Sequence, residues 1–274
     1  MKLKNETAIV TGSTRGIGRQ IAELLLKEGC KVTICSRSEE KVKYALAELE
    51  EQYGDSVIGY VCDVSKPGDI KMVAGQTMNN FGSIRILVAS AGLNTLYGPF
   101  DCMTPEMVKE NAEKILKTNL IGVMNSISAV MPFMNEQQYG RIITLSGGGV
   151  DRPIDNMTIY SASKGGVYTF SKCLALELDQ KEADIKINIF QPGMIKTDLL
   201  SSVSCVPDWK SNEEIEESLD FVLQYLGGDI EKSCKRVIPY VSHNCKKQGR
   251  VFRGYSLPKL IFNAMKMQRA MKKR

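Results

Sequence analysis

TAIVTGSTRGIG, residues Thr7 to Gly18, sets the architecture of the chain. Thr7 to Thr11 has the length and composition of a buried strand, and it runs straight into Gly12, Ser13, Thr14, Arg15, Gly16, Ile17 and Gly18. Behind the glycines, Ile21, Leu24, Leu25 and Leu26 recur at helical spacing. A strand feeding a glycine-rich turn that opens a helix leaves unpaired N–H groups and the positive end of the helix dipole aimed at one spot, which suits a pyrophosphate. The spacing is G-x-x-x-G-x-G, a variant of the commoner G-x-G-x-x-G. Glycines alone would also serve a plain tight turn; the strand and helix on either side favour the nucleotide.

Outward from that unit, Lys31 to Cys35 reads as a second strand whose end selects the cofactor. NAD-binding folds place Asp or Glu there for the ribose 2′-hydroxyl, whereas a 2′-phosphate needs a cation. Ser36 and Arg37 occupy the position, and Arg15 lies inside the glycine turn. Two guanidinium forks converging on one phosphate favour NADP(H), against the reading of both as surface arginines.

A charged helix from Glu39 to Gln52 leads to a strand from Val57 to Cys62. Asp63 and Val64 follow it, at the height where an adenine amino group is read. A helix from Asp69 to Phe81 precedes the strand Ile84 to Ala89, which ends in the small residues Ser90, Ala91 and Gly92. The order β-α-β-α-β-α-β with short connections predicts one doubly wound Rossmann-type α/β domain, its mainly parallel sheet of about seven strands covered by helices on both faces. Ligands in such sheets bind at the carboxyl ends of the strands, where these motifs fall.

Tyr160-Ser161-Ala162-Ser163-Lys164 is predicted to be helical, because Val167, Phe170, Ser171, Leu174 and Leu178 continue it with a 3.6-residue recurrence. Tyr160 and Lys164 then lie one turn apart on one face. A phenol with its ordinary pKa of about 10 is a poor proton shuttle at neutral pH, and a nearby ammonium is expected to lower it. By itself Y-x-x-x-K is equally a solvated i,i+4 pair.

Seven motifs taken in order give the chain a family resemblance: Thr11 to Gly18, Asp63-Val64, Ala89 to Gly92, Asn119 within Lys117 to Gly122, Ser146 after Arg141 to Leu145, Tyr160 to Lys164, and Pro192 to Thr197. Over roughly residues 5 to 200 it resembles the short-chain dehydrogenase/reductase family in its compact single-domain branch. That resemblance implies Tyr160 as general acid in carbonyl reduction, Ser146 as hydrogen-bond partner of the substrate oxygen, and Lys164 as holder of the nicotinamide ribose. It implies Asn119, within a long helix from Glu106 to Met134, as positioning a water that leads protons to Lys164. Pro192 and Gly193, after a strand from Ile185 to Phe190, would line the cofactor site, and Ile195 and Thr197 would face the nicotinamide and its carboxamide or phosphate. Two departures stand out. Ala89-Ser90 replaces two asparagines, a change expected to touch hydrogen bonding at the sheet end, and the stretch from about Asp229 to Gln248 has no counterpart before a last strand within Gly249 to Gly254.

Composition bounds the rest. At 274 residues with 43% hydrophobic and 24% charged content, the chain is an ordinary globular protein without a membrane-spanning run. It is expected to be cytoplasmic. Its eight cysteines form no C-x-x-C pair, and its single histidine, His243, is read as a surface or loop residue, so no metal site is expected. Residues 1–255 are assigned to the catalytic domain, with the substrate lid placed over about 194–226; the apolar loop from Leu199 to Trp209 is read as that lid, with core packing as the alternative. After the loop Ser211 and Glu214 form a capping box, and Ile215, Leu219, Val222, Leu223 and Leu226 make a helical stripe read as core. Residues 256–274 form a basic amphipathic tail. Leu260, Ala264, Met267 and Met271 share one face, with Lys259, Lys266, Arg269 and Lys273 mostly off it. Three readings of the tail stay open: packing on the body or a subunit interface, contact with an anionic membrane, or a frayed solvated tail or nucleic-acid contact.

Together these features predict an NADP(H)-dependent oxidoreductase acting on a ketone or secondary alcohol of small to medium, partly apolar character, working as a homodimer or homotetramer without nucleic acid. A 3-oxoacyl-carrier-protein reductase and a non-catalytic NADP-bound sensor or scaffold are the alternatives.

Overall fold

A computed structural model describes residues 2–147, 150, 154–201 and 203–272; Lys273 of the predicted tail lies outside them. The glycine turn joins β1 (Thr7–Thr11) to α1 (Gly16–Lys27). β2 (Lys31–Ser36), α2 (Glu39–Tyr53), β3 (Val57–Val61), α3 (Pro67–Phe81) and β4 (Ile86–Ala89) complete the first half. The second half holds β5 (Leu96–Tyr97), α4 (Pro105–Leu116), α5 (Gly122–Glu136), β6 (Tyr139–Leu145), α6 (Thr158–Asp179) and β7 (Asp184–Gln191). After them come α7 (Asp198–Ser201), β8 (Ser204–Cys205), α8 (Asn212–Leu226), α9 (Ile230–Cys234), α10 (Ile238–Val241), β9 (Val251–Arg253) and α11 (Leu257–Met271).

Seven strands form one parallel sheet in the order β3-β2-β1-β4-β6-β7-β9. Successive side chains of a strand enter opposite layers, and β1 shows it: Ala8 and Val10 pack with α1, α2 and the 234–241 segment, while Ile9 packs with α3, α5 and α6. The chain order reverses between β1 and β4, so the sheet opens a crevice at their carboxyl ends.

Three features differ from the sequence reading. The helix expected from Glu106 to Met134 is broken by a π-helical turn over Lys117–Ile121, which carries Asn119. A single extra residue in a turn leaves the apolar periodicity on either side intact, so it is silent in sequence. The lid segment is not a plain loop: it contains α7, and β8 pairs in parallel with β5, Leu96 opposite Ser204 and Tyr97 opposite Cys205, leaving Val206 fully buried. The capping box of Ser211 and Glu214 is formed, yet along the α8 stripe only Ile215 is buried, because the helix lies at the surface with α11 against it.

The stretch without a family counterpart is part of the core. Cys234, Val237, Ile238 and Val241 are buried against the α1 layer, and Tyr240 stacks on Phe252 of β9 at 3.7 Å. His243 stacks on Tyr139 at the amino end of β6, at the opposite edge of the sheet from the crevice.

Candidate active site

Gly12 leaves β1 with φ +65°, and a β-carbon there would lie 2.7 Å from the Cα of Ala91, so only glycine lets the ends of β1 and β4 approach this closely. The Thr11 hydroxyl stitches the same two ends, accepting from the amides of Ser90 and Ala91 at 3.1 Å each. This is where Ala89-Ser90 departs from the family pattern, and the hydrogen bonding there comes from Thr11. Beyond the turn, α1 begins without a side-chain cap and without an acidic residue in its first turn. Its first amides therefore face the crevice with nothing from their own helix to satisfy them.

The crevice is a cleft of about 1140 Å³ including its open mouth. Gly12, Thr14, Arg15, Gly16, Ile17 and Gly18 form one wall, with Ser36 and Arg37 at the end of β2. Val64, Ala91 and Gly92 line the middle, and Ser146, Tyr160, Lys164 and Pro192 close the far end; Thr197, expected to face the nicotinamide and its carboxamide or phosphate, stands over the glycine wall, its methyl 3.5 Å from where a β-carbon on Gly16 would lie. Arg37 is exposed and has no acidic partner among the described residues. Arg15 instead bonds the carboxylate of Asp198, at the start of α7.

Other predicted residues stand behind this lining. Ser13 is fully buried and faces the sheet, its hydroxyl donating to Val10 O at 2.5 Å and accepting from Cys35 N at 3.0 Å. Asp63 accepts from Ser65 N at 3.0 Å, a local turn after β3. Ile195 is buried, and Gly193 turns the chain at φ +90° against Tyr255.

Asn119, carried on the π-helical turn, is also fully buried behind the cleft. Its Oδ1 accepts from Leu93 N at 2.8 Å, while Nδ2 donates to Leu93 O at 2.9 Å and to the Ser163 hydroxyl at 3.1 Å. Ser163 in turn donates to Tyr160 O at 2.6 Å. One amide thus bolts the loop after β4 to the turn of α6 that carries Tyr160.

At the far end, Lys164 Nζ donates to Leu145 O at 3.1 Å and lies 5.7 Å from the centre of the Tyr160 ring. A β-carbon on Gly147 would sit 3.3 Å from the Tyr160 hydroxyl, so the phenol and the end of β6 share one small space. Ser146 is buried there, and its hydroxyl has no hydrogen-bond partner among the described residues. A buried orphan hydroxyl costs free energy unless something enters to meet it.

Burial, not the neighbouring cation, controls the proton affinities here. It pushes the Tyr160 phenol up to about 12 and the Lys164 ammonium down to about 8. The sequence expectation of a phenol lowered by its lysine is therefore reversed in the protein alone: Nζ spends its hydrogen bond on Leu145 O.

One residue escaped the sequence reading. Asn94 lines the cleft and is 4% exposed, with Oδ1 accepting from Thr95 N at 3.1 Å and Nδ2 left with no partner among the described residues. No periodicity or motif marks an asparagine in a loop, and only its burial does.

Comparison with known proteins assigns the family. A family model described as short chain dehydrogenase matches residues 6–205. The chain belongs to that family. Among curated relatives of this short-chain dehydrogenase, human dehydrogenase/reductase SDR family member 2, mitochondrial, is 37% identical over 196 residues, covering 72% of this chain and 67% of that protein. Human 3-oxoacyl-[acyl-carrier-protein] reductase is 32% identical over 195 residues, covering 71% and 78%. The crystal structure of a single-substitution variant of actinorhodin polyketide ketoreductase with NADPH superposes with a TM-score of 0.78 at 29% identity, covering 90% of this chain and 95% of that one. This short-chain dehydrogenase is thus an oxidoreductase acting between a carbonyl and an alcohol.

The cleft fits a nicotinamide dinucleotide on its own geometry. An uncapped helix start, a turn of glycines and two cationic side chains suit its phosphates. At the other end, a buried hydroxyl without a partner waits beside the phenol.

Proposed function

We propose that the protein is an NADP(H)-dependent oxidoreductase that interconverts a ketone and a secondary alcohol on a small to medium, partly apolar substrate. The observation that carries this reading is the unpartnered Ser146 hydroxyl beside Tyr160, at the far end of the cleft that begins at the uncapped start of α1.

When bound, the nicotinamide supplies or accepts the hydride. The chain supplies everything else. Ser146 Oγ donates to the carbonyl oxygen and stabilises charge that grows there. Tyr160, protonated far above neutral pH, gives its proton to that oxygen in reduction and takes one back in oxidation. Lys164, with its pKa near 8, still carries its charge at neutral pH and keeps a positive potential behind the phenol. Arg37, exposed and unpaired by any described acid, together with Arg15 supports a 2′-phosphate, and no carboxylate stands at the end of β2 to take a 2′-hydroxyl. The test is oxidation of NADPH and of NADH by the purified protein against a panel of ketones, steroids and acyl thioesters. Turnover with NADPH on at least one carbonyl supports the reading, and absence of turnover with either nucleotide across the panel overturns it.

Asn94 favours a narrower second reading. Its buried, unpartnered Nδ2 is a second donor in the same cleft, and a 3-oxoacyl compound carries the second acceptor oxygen it lacks. That substrate class also accords with the name of the human 3-oxoacyl-[acyl-carrier-protein] reductase among the relatives.

A further inference from the structure

The last helix has two working faces. Leu260, Asn263, Ala264 and Met267 are half-buried on the side of α8, and Asn263 Nδ2 fixes the contact by donating to Tyr225 O at 2.9 Å. None of the residues of α11 is fully buried, so this contact uses one side of the helix only. At 100° per residue, Ile261, Phe262 and Met265 fall on the far side, and they are 48%, 53% and 47% exposed. Arg269 and Lys272 share that arc, and Lys266 Nζ lies 4.6 Å over the Phe262 ring at its margin.

The charges on this face are gathered together without carboxylates. Several exposed lysines on other helices pair with a glutamate one turn away, as in Lys27–Glu23, Lys43–Glu39 and Lys114–Glu110. Lys259, Lys266, Arg269 and Lys272 have no carboxylate partner among the described residues. Residues 246–274 hold ten Lys or Arg and no Asp or Glu, while residues 1–245 hold 26 basic against 31 acidic side chains. The segment that carries this ridge thus brings no acidic residue of its own to balance its cations. An apolar ridge interleaved with unpaired cations, held parallel to the surface, matches the boundary between acyl chains and anionic headgroups.

We propose that α11 docks the protein on an anionic bilayer surface. Ile261, Phe262 and Met265 enter the boundary of the acyl chains, and Lys259, Lys266, Arg269 and Lys272 meet the phosphates. The helix lies on the membrane; no helix among the described residues is long and apolar enough to cross one. The packing of α11 on α8 makes the ridge part of the folded body, so docking needs no release of the tail.

The experiment is co-sedimentation of the full chain with vesicles of phosphatidylcholine alone and of phosphatidylcholine with phosphatidylglycerol. Binding to the anionic vesicles is expected, at least about ten-fold tighter than to the neutral ones and weakened about ten-fold by 0.5 M salt. The triple variant Ile261→Ser, Phe262→Ser, Met265→Ser is expected to lose that binding at least about ten-fold, as is the double variant Lys266→Glu, Arg269→Glu, with unfolding midpoint and turnover unchanged. Equal binding to both vesicles, no binding, or binding retained by both variants overturns the proposal. So does sedimentation equilibrium showing a dimer of this chain that the triple variant dissociates, since a second copy would then cover the ridge.

Discussion

Lys164 and Tyr160 are neighbours with no hydrogen bond between their side chains: Nζ lies 5.7 Å from the ring centre and gives its hydrogen bond to Leu145 O instead. Each group is consequently ruled by its own burial, which drives the lysine down to about 8 and the tyrosine up to about 12. The folded lysine holds its proton below about pH 8 and loses it above. The predicted profile of kcat/KM for NADPH, which reports the free enzyme, is flat through neutrality and falls above pH 8 as the cation behind the phenol disappears. An inflection at pH 10 or beyond would show that the ammonium is not the group that titrates.

Tyr160→Phe removes the proton and keeps the ring that packs against Gly147. NADPH affinity by fluorescence titration should stay within about three-fold, while kcat drops by about 10³-fold, within the range of general acid catalysis. Turnover within two-fold of wild type would remove Tyr160 from the chemistry. Loss of nucleotide binding would instead mean that its role is structural.

Much of this site was legible because a doubly wound sheet concentrates its function at strand ends, and those ends carry recognisable residues. Gly12, Gly92, Ser146 and Pro192 all follow strands that their apolar runs already marked. Directions of side chains were not legible. Ser13 sits in the glycine turn yet faces the sheet, because its hydroxyl bridges Val10 O and Cys35 N across β1 and β2. Arg15 is paired with a residue 183 positions away, and sequence pattern does not report such a contact. The π-helical turn under Asn119 was invisible for a related reason: one added residue changes where a side chain points without changing which residues are apolar.

The proposed preference for NADP(H) rests on the two arginines. Arg37→Ala should raise the Kd for NADPH about 10- to 100-fold and leave NADH within about two-fold, as expected for a lost charge-assisted hydrogen bond. Asp198 competes for Arg15. Asp198→Ala should therefore tighten NADPH a few-fold while Arg15→Ala weakens it. Equal effects of Arg37→Ala on both nucleotides would refute a 2′-phosphate site.

Asn94 separates the two substrate readings. Asn94→Leu keeps approximate size and removes the donor that has no partner among the described residues. If the substrate brings a second acceptor, kcat/KM for a 3-oxoacyl thioester should fall at least about ten-fold, and that for a simple ketone of similar length should stay within about two-fold. A parallel fall for both ketones, or a weaker hold on NADPH, would count against the 3-oxoacyl reading.

Arg141 tests the segment that the family pattern did not cover. It is completely buried in β6, a position that its neighbours in Arg-Ile-Ile-Thr-Leu do not advertise. Its guanidinium reaches Asp184 O at 2.6 Å, the Asp184 carboxylate at 2.7 Å, Gly140 O at 2.9 Å and His243 O at 3.1 Å, joining β6, β7 and the turn after α10. Burial alone would raise the Asp184 carboxyl; the hydrogen bond and charge of Arg141, helped by Lys246 and Lys186, outweigh it and hold the group below its usual range. Arg141→Met strands those acceptors and should cost about 3–5 kcal/mol in urea unfolding at pH 7. Asp184→Asn should cost less, because Arg141 keeps its backbone carbonyls. Since Arg141 lies at the amino half of β6 and Ser146 just past its carboxyl end, the folded fraction of either variant at low temperature should turn over at wild-type rate. A cost under about 1 kcal/mol for Arg141→Met would mean that the 229–248 segment is held by Tyr240 on Phe252 and its apolar contacts rather than by this buried cation.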